Sequence, residues 1–198
     1  MQITNTDMMA QRAFRRLLQA MSRPGRVYVL PPPHSAGREP WGAMLQLLES
    51  LLDHEVSFAV IGRNGSRKLQ SRIAERTRSR AADVGQADFL IVADGNSTGE
   101  ILQAKRGTHQ YPDTSATVVF RVQSLLFPED RQPTIALTGP GIREEILLGP
   151  IEGLGPRETE HLKELNSEFP LGVDAVFIDT VGRILCISRS TNIRILEH

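Results

Sequence analysis

The chain has 198 residues, 40% of them hydrophobic and 23% charged, with a formal net charge of zero and a single cysteine. That length fits one domain able to bury its own core, and the neutral balance gives no electrostatic case for a nucleic-acid or membrane-surface partner. The lone Cys186 excludes an intramolecular disulfide and a cysteine-based zinc site.

In chain order, "MQITNTDMMAQRAF" lacks a charged start followed by an apolar core, and no run reaches transmembrane length. A cytoplasmic protein in a reducing compartment is expected. The first helix is capped at Thr6 or Asp7 and carries Phe14, Leu17, Leu18 and Met21 at helical spacing, with Arg12, Arg15, Arg16 and Gln19 mostly opposite. "SRPGR" ends it, Pro24 and Gly25 fitting the central positions of a type II turn. "VYVLP" reads as a strand closed by three prolines, and Trp41 to Leu52 as a largely buried helix.

"VSFAVIG" follows as a strand and "SRKLQSRIAERT" as a helix. "DFLIVAD" suits a strand covered on both faces, and "STGEILQAKRG" reads as a helix closed by Gly107. Strands then dominate: "SATVVFRVQSL", "PTIALTG" and "REEILLGPI". A polar helix over Arg157 to Ser167 precedes "FPLGVDAVFID", the hairpin "DTVGR", "ILCIS" and "TNIRIL". Helix–strand alternation followed by strand-rich sequence predicts one α/β domain over residues 1–198, a three-layer mixed sheet with helices on both faces. Antiparallel pairs should concentrate in the C-terminal half.

Three chemical motifs need weighing. Gly95-Asn96-Ser97-Thr98-Gly99 matches the G-x-S-x-G nucleophile elbow, which would make Ser97 the nucleophile of a serine hydrolase. An elbow needs a later acid and then a histidine; His161 lies in an exposed helical pattern, His198 ends the chain, and His109 leaves almost no room for an acid. The competing reading is the capping box Ser97-Thr98-Gly99-Glu100, which the missing histidine favours. "LTGPGIREE" and "GLGPRE" begin like dinucleotide loops, but Glu144 and Glu158 replace their third glycine, so both read as turns.

No Gly-Lys dipeptide supports a Walker loop, and no histidine, cysteine or aspartate spacing supports a metal. Lys68, Lys105 and Lys163, the only lysines among 23 basic residues, lie in polar helices or end one, so no pyridoxal phosphate lysine is expected and no cofactor. The other basic residues are arginine, reflecting either a GC-rich genome's codon bias or a use for bidentate carboxylate and phosphate pairing.

Four blocks in register, "FRRLLQAMSRPG" (Phe14 to Gly25), "GTHQYPDTSATVVF" (Gly107 to Phe120), "LTGPGI" (Leu137 to Ile142) and "FPLGVDAVFI" (Phe169 to Ile178), resemble the PhnH family of carbon–phosphorus lyase subunits. The resemblance runs from about Phe14 to Ile195 and is vague between Val56 and Lys105. It implies a fold like the large domain of pyridoxal-phosphate-dependent transferases without the cofactor site, and phosphonate catabolism as the process. It further implies an accessory, non-catalytic subunit of a complex that converts alkylphosphonate and ATP to ribose 1-alkylphosphonate 5-triphosphate and adenine. PhnG, PhnI and PhnJ would be its partners, and the isolated chain would form a homodimer.

The resemblance supplies no catalytic residue. The turns offer contact candidates instead: Arg23, Pro24 and Gly25, then Gly139, Pro140 and Gly141, and Arg189 near the C-terminus. Arg23 and Arg189 are expected to meet a partner subunit or an anion. The chain has Ser188-Arg189-Ser190-Thr191 where the family pattern places a proline before the arginine, which should loosen that turn. A phosphonate- or nucleotide-binding role through the arginines is a weaker alternative.

Overall fold

Residue alternation inside five apolar strands sets the architecture of the computed structural model, which describes residues 5–32, 41–63, 65–128 and 130–196. The strands are β2 (Ser57–Ile61), β4 (Phe89–Val92), β5 (Thr117–Arg121), β8 (Asp174–Ile178) and β9 (Arg183–Ile187). In each, successive side chains point to opposite faces. Leu90, Val92, Val118, Phe120, Ala175, Phe177, Leu185 and Ile187 enter one core, whereas Ile91, Val119, Val176, Ile178, Ile184 and Cys186 enter a second. Such near-continuous apolar runs are what a strand covered on both sides requires.

With β1 (Tyr28–Val29) and β3 (Arg80–Ala81) at its edges, the main sheet among the described residues has seven strands in the order β1-β9-β8-β5-β4-β2-β3. The block from β3 to β8 is parallel, while β8-β9 and β9-β1 are antiparallel. Phe120 and Phe177, register partners on β5 and β8, stack with ring centroids 5.1 Å apart.

One face is covered by helices α1 (Asn5–Ser22), α2 (Gly42–Glu49) and α3 (Ser66–Thr77), through Ala13, Leu17, Met44, Leu47, Leu69 and Ile73. The opposite face carries a helix as well, as expected, but adds strands that the sequence did not set apart from the main sheet. It is covered mainly by a second sheet, β10-β6-β7, built from β6 (Ile135–Thr138), β7 (Ile146–Leu148) and β10 (Asn192–Ile195). Helix α4 (Glu158–Leu165) completes that layer with Leu162 and Leu165. Three layers result, and both pairs of the small sheet are antiparallel, as the strand-rich C-terminal half predicts.

Two expectations need correction. The run after Ser97 is only a single 3-10 turn, Glu100–Gln103, because Thr98 (φ 50) and Gly99 (φ 88) take left-handed conformations where an α-helix would have to begin. Helix α1 buries Ala13, Leu17 and Ala20 rather than the whole Phe14, Leu17, Leu18, Met21 stripe; Phe14 is 41% and Leu18 49% exposed. Small side chains let α1 lie close on β9 and α2, which turns the larger residues outward. The capping side chains expected at Thr6 or Asp7, the last of the three prolines, Pro33, and the terminal His198 lie outside what the structure describes.

Asp88 ties the starts of the parallel strands together. Its Oδ2 accepts the Ser57 amide and hydroxyl, both at 2.7 Å, and its Oδ1 accepts the Lys105 ammonium. Burial works to raise this carboxyl, but the Lys105 ammonium and the Ser57 donors outweigh it and hold it below its ordinary 3.8. A depressed carboxyl stabilises the fold above its unfolded-state pKa, and that contribution fades as pH falls through the folded value. Asp88→Asn is therefore expected to cost about 1 kcal/mol at neutral pH and progressively less below about pH 4. Urea unfolding of both proteins across that range checks this; a pH-independent difference would contradict it.

Candidate functional site

Ser97 lies in the junction between the first core layer and α4. Its amide donates to Glu158 Oε1 (2.8 Å), and its hydroxyl sits 2.9 and 2.7 Å from the two Glu158 oxygens. Ser97 is fully buried and Glu158 is 1% exposed. The serine therefore satisfies a carboxylate that arrives from 61 residues downstream. The capping box is overturned: the Ser97 oxygen accepts the Gly99 amide at 3.2 Å, but Glu100 is exposed and makes no return bond among the described residues.

The structure also corrects the exposed reading of His161, which is 6% exposed on α4 and turns its Nδ1 toward Glu158 Oε2 at 3.8 Å. Ser97, Glu158 and His161 thus converge in the chain order of a hydrolase triad. Their geometry is different: the serine bonds the acid directly, not the imidazole, and no substrate can reach its buried oxygen. A nucleophile needs its base within hydrogen-bond reach and an accessible oxygen, so the serine hydrolase reading is not supported. The sequence signal for this cluster was Glu158 itself, read only as the residue that spoils a glycine loop.

The neighbouring glycines explain the two weak loop motifs. A Cβ on Gly95 would lie 2.0 Å from the Gly153 carbonyl oxygen, and Gly155 donates its amide to the Gly95 carbonyl at 2.8 Å. "GNSTG" and "GLGPRE" are therefore two sides of one backbone-to-backbone contact, which side chains would prevent.

The contact candidates form a second junction. Arg23-Pro24-Gly25-Arg26 closes with Arg26 N donating to Arg23 O (3.3 Å), Gly25 having φ 79. Gly139-Pro140-Gly141-Ile142 closes with Ile142 N donating to Gly139 O (3.1 Å), Gly141 having φ 81. Both are type II turns with proline then glycine at the centre, as expected for the first of them. They interlock: a Cβ on Gly141 would stand 2.5 Å from the Ser22 carbonyl oxygen and 3.0 Å from Pro24 Cδ. Pro24 and Gly25 are buried there, whereas Pro140 is exposed.

A cleft of about 640 Å³ opens beside this junction, lined by Arg23, Arg26, Arg143, Glu144 and Glu145 with the Gly141 to Ile142 backbone. Arg26 and Arg143 were not among the expected contact residues, although they lie in the turn motifs "SRPGR" and "LTGPGIREE". Their signal was position, each lying just after a Pro-Gly pair.

Arg189 is placed elsewhere, in a smaller cleft of about 240 Å³ with Lys163, Ser167 and Phe169. Its guanidinium donates to Asp174 Oδ2 (2.6 Å) and to the Pro112 carbonyl, and its amide donates to Asp174 Oδ1 (2.9 Å). Arg189 so clamps the "PDTSA" segment to the first residue of β8. The turn without the family proline is held by Thr191 N donating to Ser188 O (2.9 Å) and by Ser188 Oγ lying 3.0 and 2.9 Å from the Ser190 and Thr191 hydroxyls. Ser190 also packs on the interlocked Pro-Gly turns, its carbonyl oxygen 2.9 Å from where a Gly139 Cβ would stand. Four sequence blocks thus meet along one chain of turns, but Arg23 and Arg189 face separate clefts.

Of the lysines, Lys68 and Lys163 are exposed and Lys105 is bonded to Asp88. Burial, with a smaller contribution from Asp174, pushes the Cys186 thiol well above its ordinary value, so it stays a protonated core residue. No group of three or more metal-binding side chains occurs among the described residues, and no helix there is long and apolar enough to cross a membrane.

Comparison with known proteins places these features in context. Residues 2–194 match the family model described as PhnH, bacterial phosphonate metabolism protein. A protein named putative C-P lyase subunit protein HtxG, from Stutzerimonas stutzeri, is 35% identical over 187 residues, covering 93% of this chain and 86% of that protein. The alpha-D-ribose 1-methylphosphonate 5-triphosphate synthase subunit PhnH of Rhizobium meliloti (strain 1021) is 29% identical over 189 residues, covering 93% of this chain and 90% of that protein.

Proposed function

We propose, since the chain belongs to the PhnH family of bacterial phosphonate metabolism proteins, that it is an accessory subunit of a carbon–phosphorus lyase core complex. In this reading it contributes surface and shape rather than catalytic groups. The complex joins an alkylphosphonate to the ribose of ATP, giving ribose 1-alkylphosphonate 5-triphosphate and adenine. Its partners are the counterparts of PhnG, PhnI and PhnJ, it works in the cytoplasm without a cofactor of its own, and alone it forms a homodimer. The proposal extends to the fold, likened to the large domain of pyridoxal-phosphate-dependent transferases without the cofactor site.

The observation that carries this reading is the outer flank of α1. Phe14 and Leu18, four residues apart and therefore neighbours on the helix surface, leave a large apolar pair in water. Arg12, Arg15 and Arg16 lie on the same helix, and residues 8–22 contain no carboxylate. Exposed aromatic and aliphatic anchors beside arginine are the composition of a protein–protein hot spot, and the charge calls for an acidic surface on the partner.

The double variant Phe14→Asp/Leu18→Asp should still fold, with only a modest fall in melting temperature, because about half of each side chain already lies in solvent. It should fail to co-purify with the partner subunits from cells using phosphonate as phosphorus source, and should fail to support that growth. Retention of the variant in the complex at the wild-type level would refute α1 as the docking flank. Light scattering on the same pair of proteins reports whether the homodimer uses it too.

A further inference from the structure

We infer that the cleft beside the interlocked Pro-Gly turns is a binding site for a multiply charged phosphoryl or phosphonyl anion, held by Arg23, Arg26 and Arg143. This goes beyond the docking role and uses a different surface, so either can fail without the other.

The charge on the cleft is unbalanced. Arg23, Arg26 and Arg143 line it, and their guanidiniums have no ion-pair partner among the described residues. Of the two acids there, Glu145 is taken by Arg194, whose Nη2 lies 2.7 Å from Glu145 Oε1. Only Glu144 is left to offset three guanidiniums. The cleft therefore keeps a net positive charge on a chain whose total is zero. At about 640 Å³ it lies within the range of small-molecule sites, roughly 300–1,000 Å³.

Each arginine is also well anchored at its backbone. Arg23 and Arg26 are the first and last residues of one type II turn, and Arg143 follows the other directly. The turns are locked by the close approach of Gly141 to Ser22 and Pro24, and of Gly25 to Leu137 and Ile146. Long side chains on such fixed stems spend less entropy in closing on a ligand than they would on a loose loop. Guanidinium forks match the oxygens of a tetrahedral oxyanion in pairs, and three of them suit a ligand carrying more than one negative charge.

Titration calorimetry of the full-length protein at low salt, with tripolyphosphate, ATP and methylphosphonate as separate probes, tests the site. Tripolyphosphate is expected to bind, and more weakly as salt is raised. Arg23→Gln/Arg26→Gln/Arg143→Gln should weaken that binding at least tenfold without changing the melting temperature, whereas Arg67→Gln on α3 should not. Binding of ATP but not methylphosphonate would assign the site to a nucleotide's phosphates, and the reverse to a phosphonate substrate. Absence of tripolyphosphate binding to the wild-type protein, or equal binding to the triple variant, overturns the inference.

Discussion

Ser97→Ala is expected to lower the unfolding free energy by about 3 kcal/mol, a fall of about 6–12 °C in melting temperature for a chain of this size. The hydroxyl it removes lies 2.9 and 2.7 Å from the two oxygens of Glu158, which is 1% exposed. The Ser97 amide would remain as a donor to Oε1, but Oε2 would lose its only hydrogen bond among the described residues. A buried carboxylate cannot recover that loss from water, which is why the cost exceeds that of an ordinary surface hydroxyl.

Two comparisons separate this account from its rivals. Glu100→Ala should change stability by less than about 0.5 kcal/mol, whereas a working capping box would cost about 1 kcal/mol. A fluorophosphonate probe should leave native wild-type protein unlabelled, because the serine has no accessible surface. Wild-type stability in Ser97→Ala would show that Glu158 is solvated and that the junction is looser than described.

Gly141→Ala should be still more damaging, by more than about 3 kcal/mol, and it should also distort the arginine cleft. Its φ of 81 costs a side-chain-bearing residue about 1–3 kcal/mol before any contact is considered. The added methyl would then lie 2.5 Å from the Ser22 carbonyl oxygen, which is backbone held at the end of α1 and cannot swing aside. Relief must come from parting the two turns, which moves Arg143 relative to Arg23 and Arg26. Gly42→Ala is the control: nothing lies within 4 Å of its added Cβ, at the first residue of α2, so it should be neutral or stabilising by up to about 1 kcal/mol. Thermal melts of both variants, with tripolyphosphate binding measured on whichever folds, check the pair. Equal melting temperatures would mean that the turns do not interlock.

Much of the fold was legible because it rests on local pattern. The apolar run "DFLIVAD" named a strand buried on both faces, and Pro24-Gly25 named its turn, since a proline before a left-handed glycine leaves the backbone few alternatives. The face of α1 was not legible. Phe14 and Leu18 repeat at helical spacing just as a buried stripe does, and periodicity cannot tell a core from a docking surface. Likewise the second layer looked like further helix and strand in sequence. Its assembly into an antiparallel sheet depends on β10 pairing with β6 across more than fifty residues.

The candidate sites divide along the same line. By itself the sequence determined which residues could turn the chain sharply, where the arginines stand beside those turns, and, through four blocks in register, which family the chain resembles. Only the tertiary structure decided what each group faces. It put Ser97 on Glu158 rather than on its own helix, engaged Arg189 with Asp174 and Pro112, and left Arg23, Arg26 and Arg143 together at an open cleft. The reason is physical: turn conformation depends on a residue and its immediate neighbours, whereas burial and charge pairing depend on residues tens of positions away.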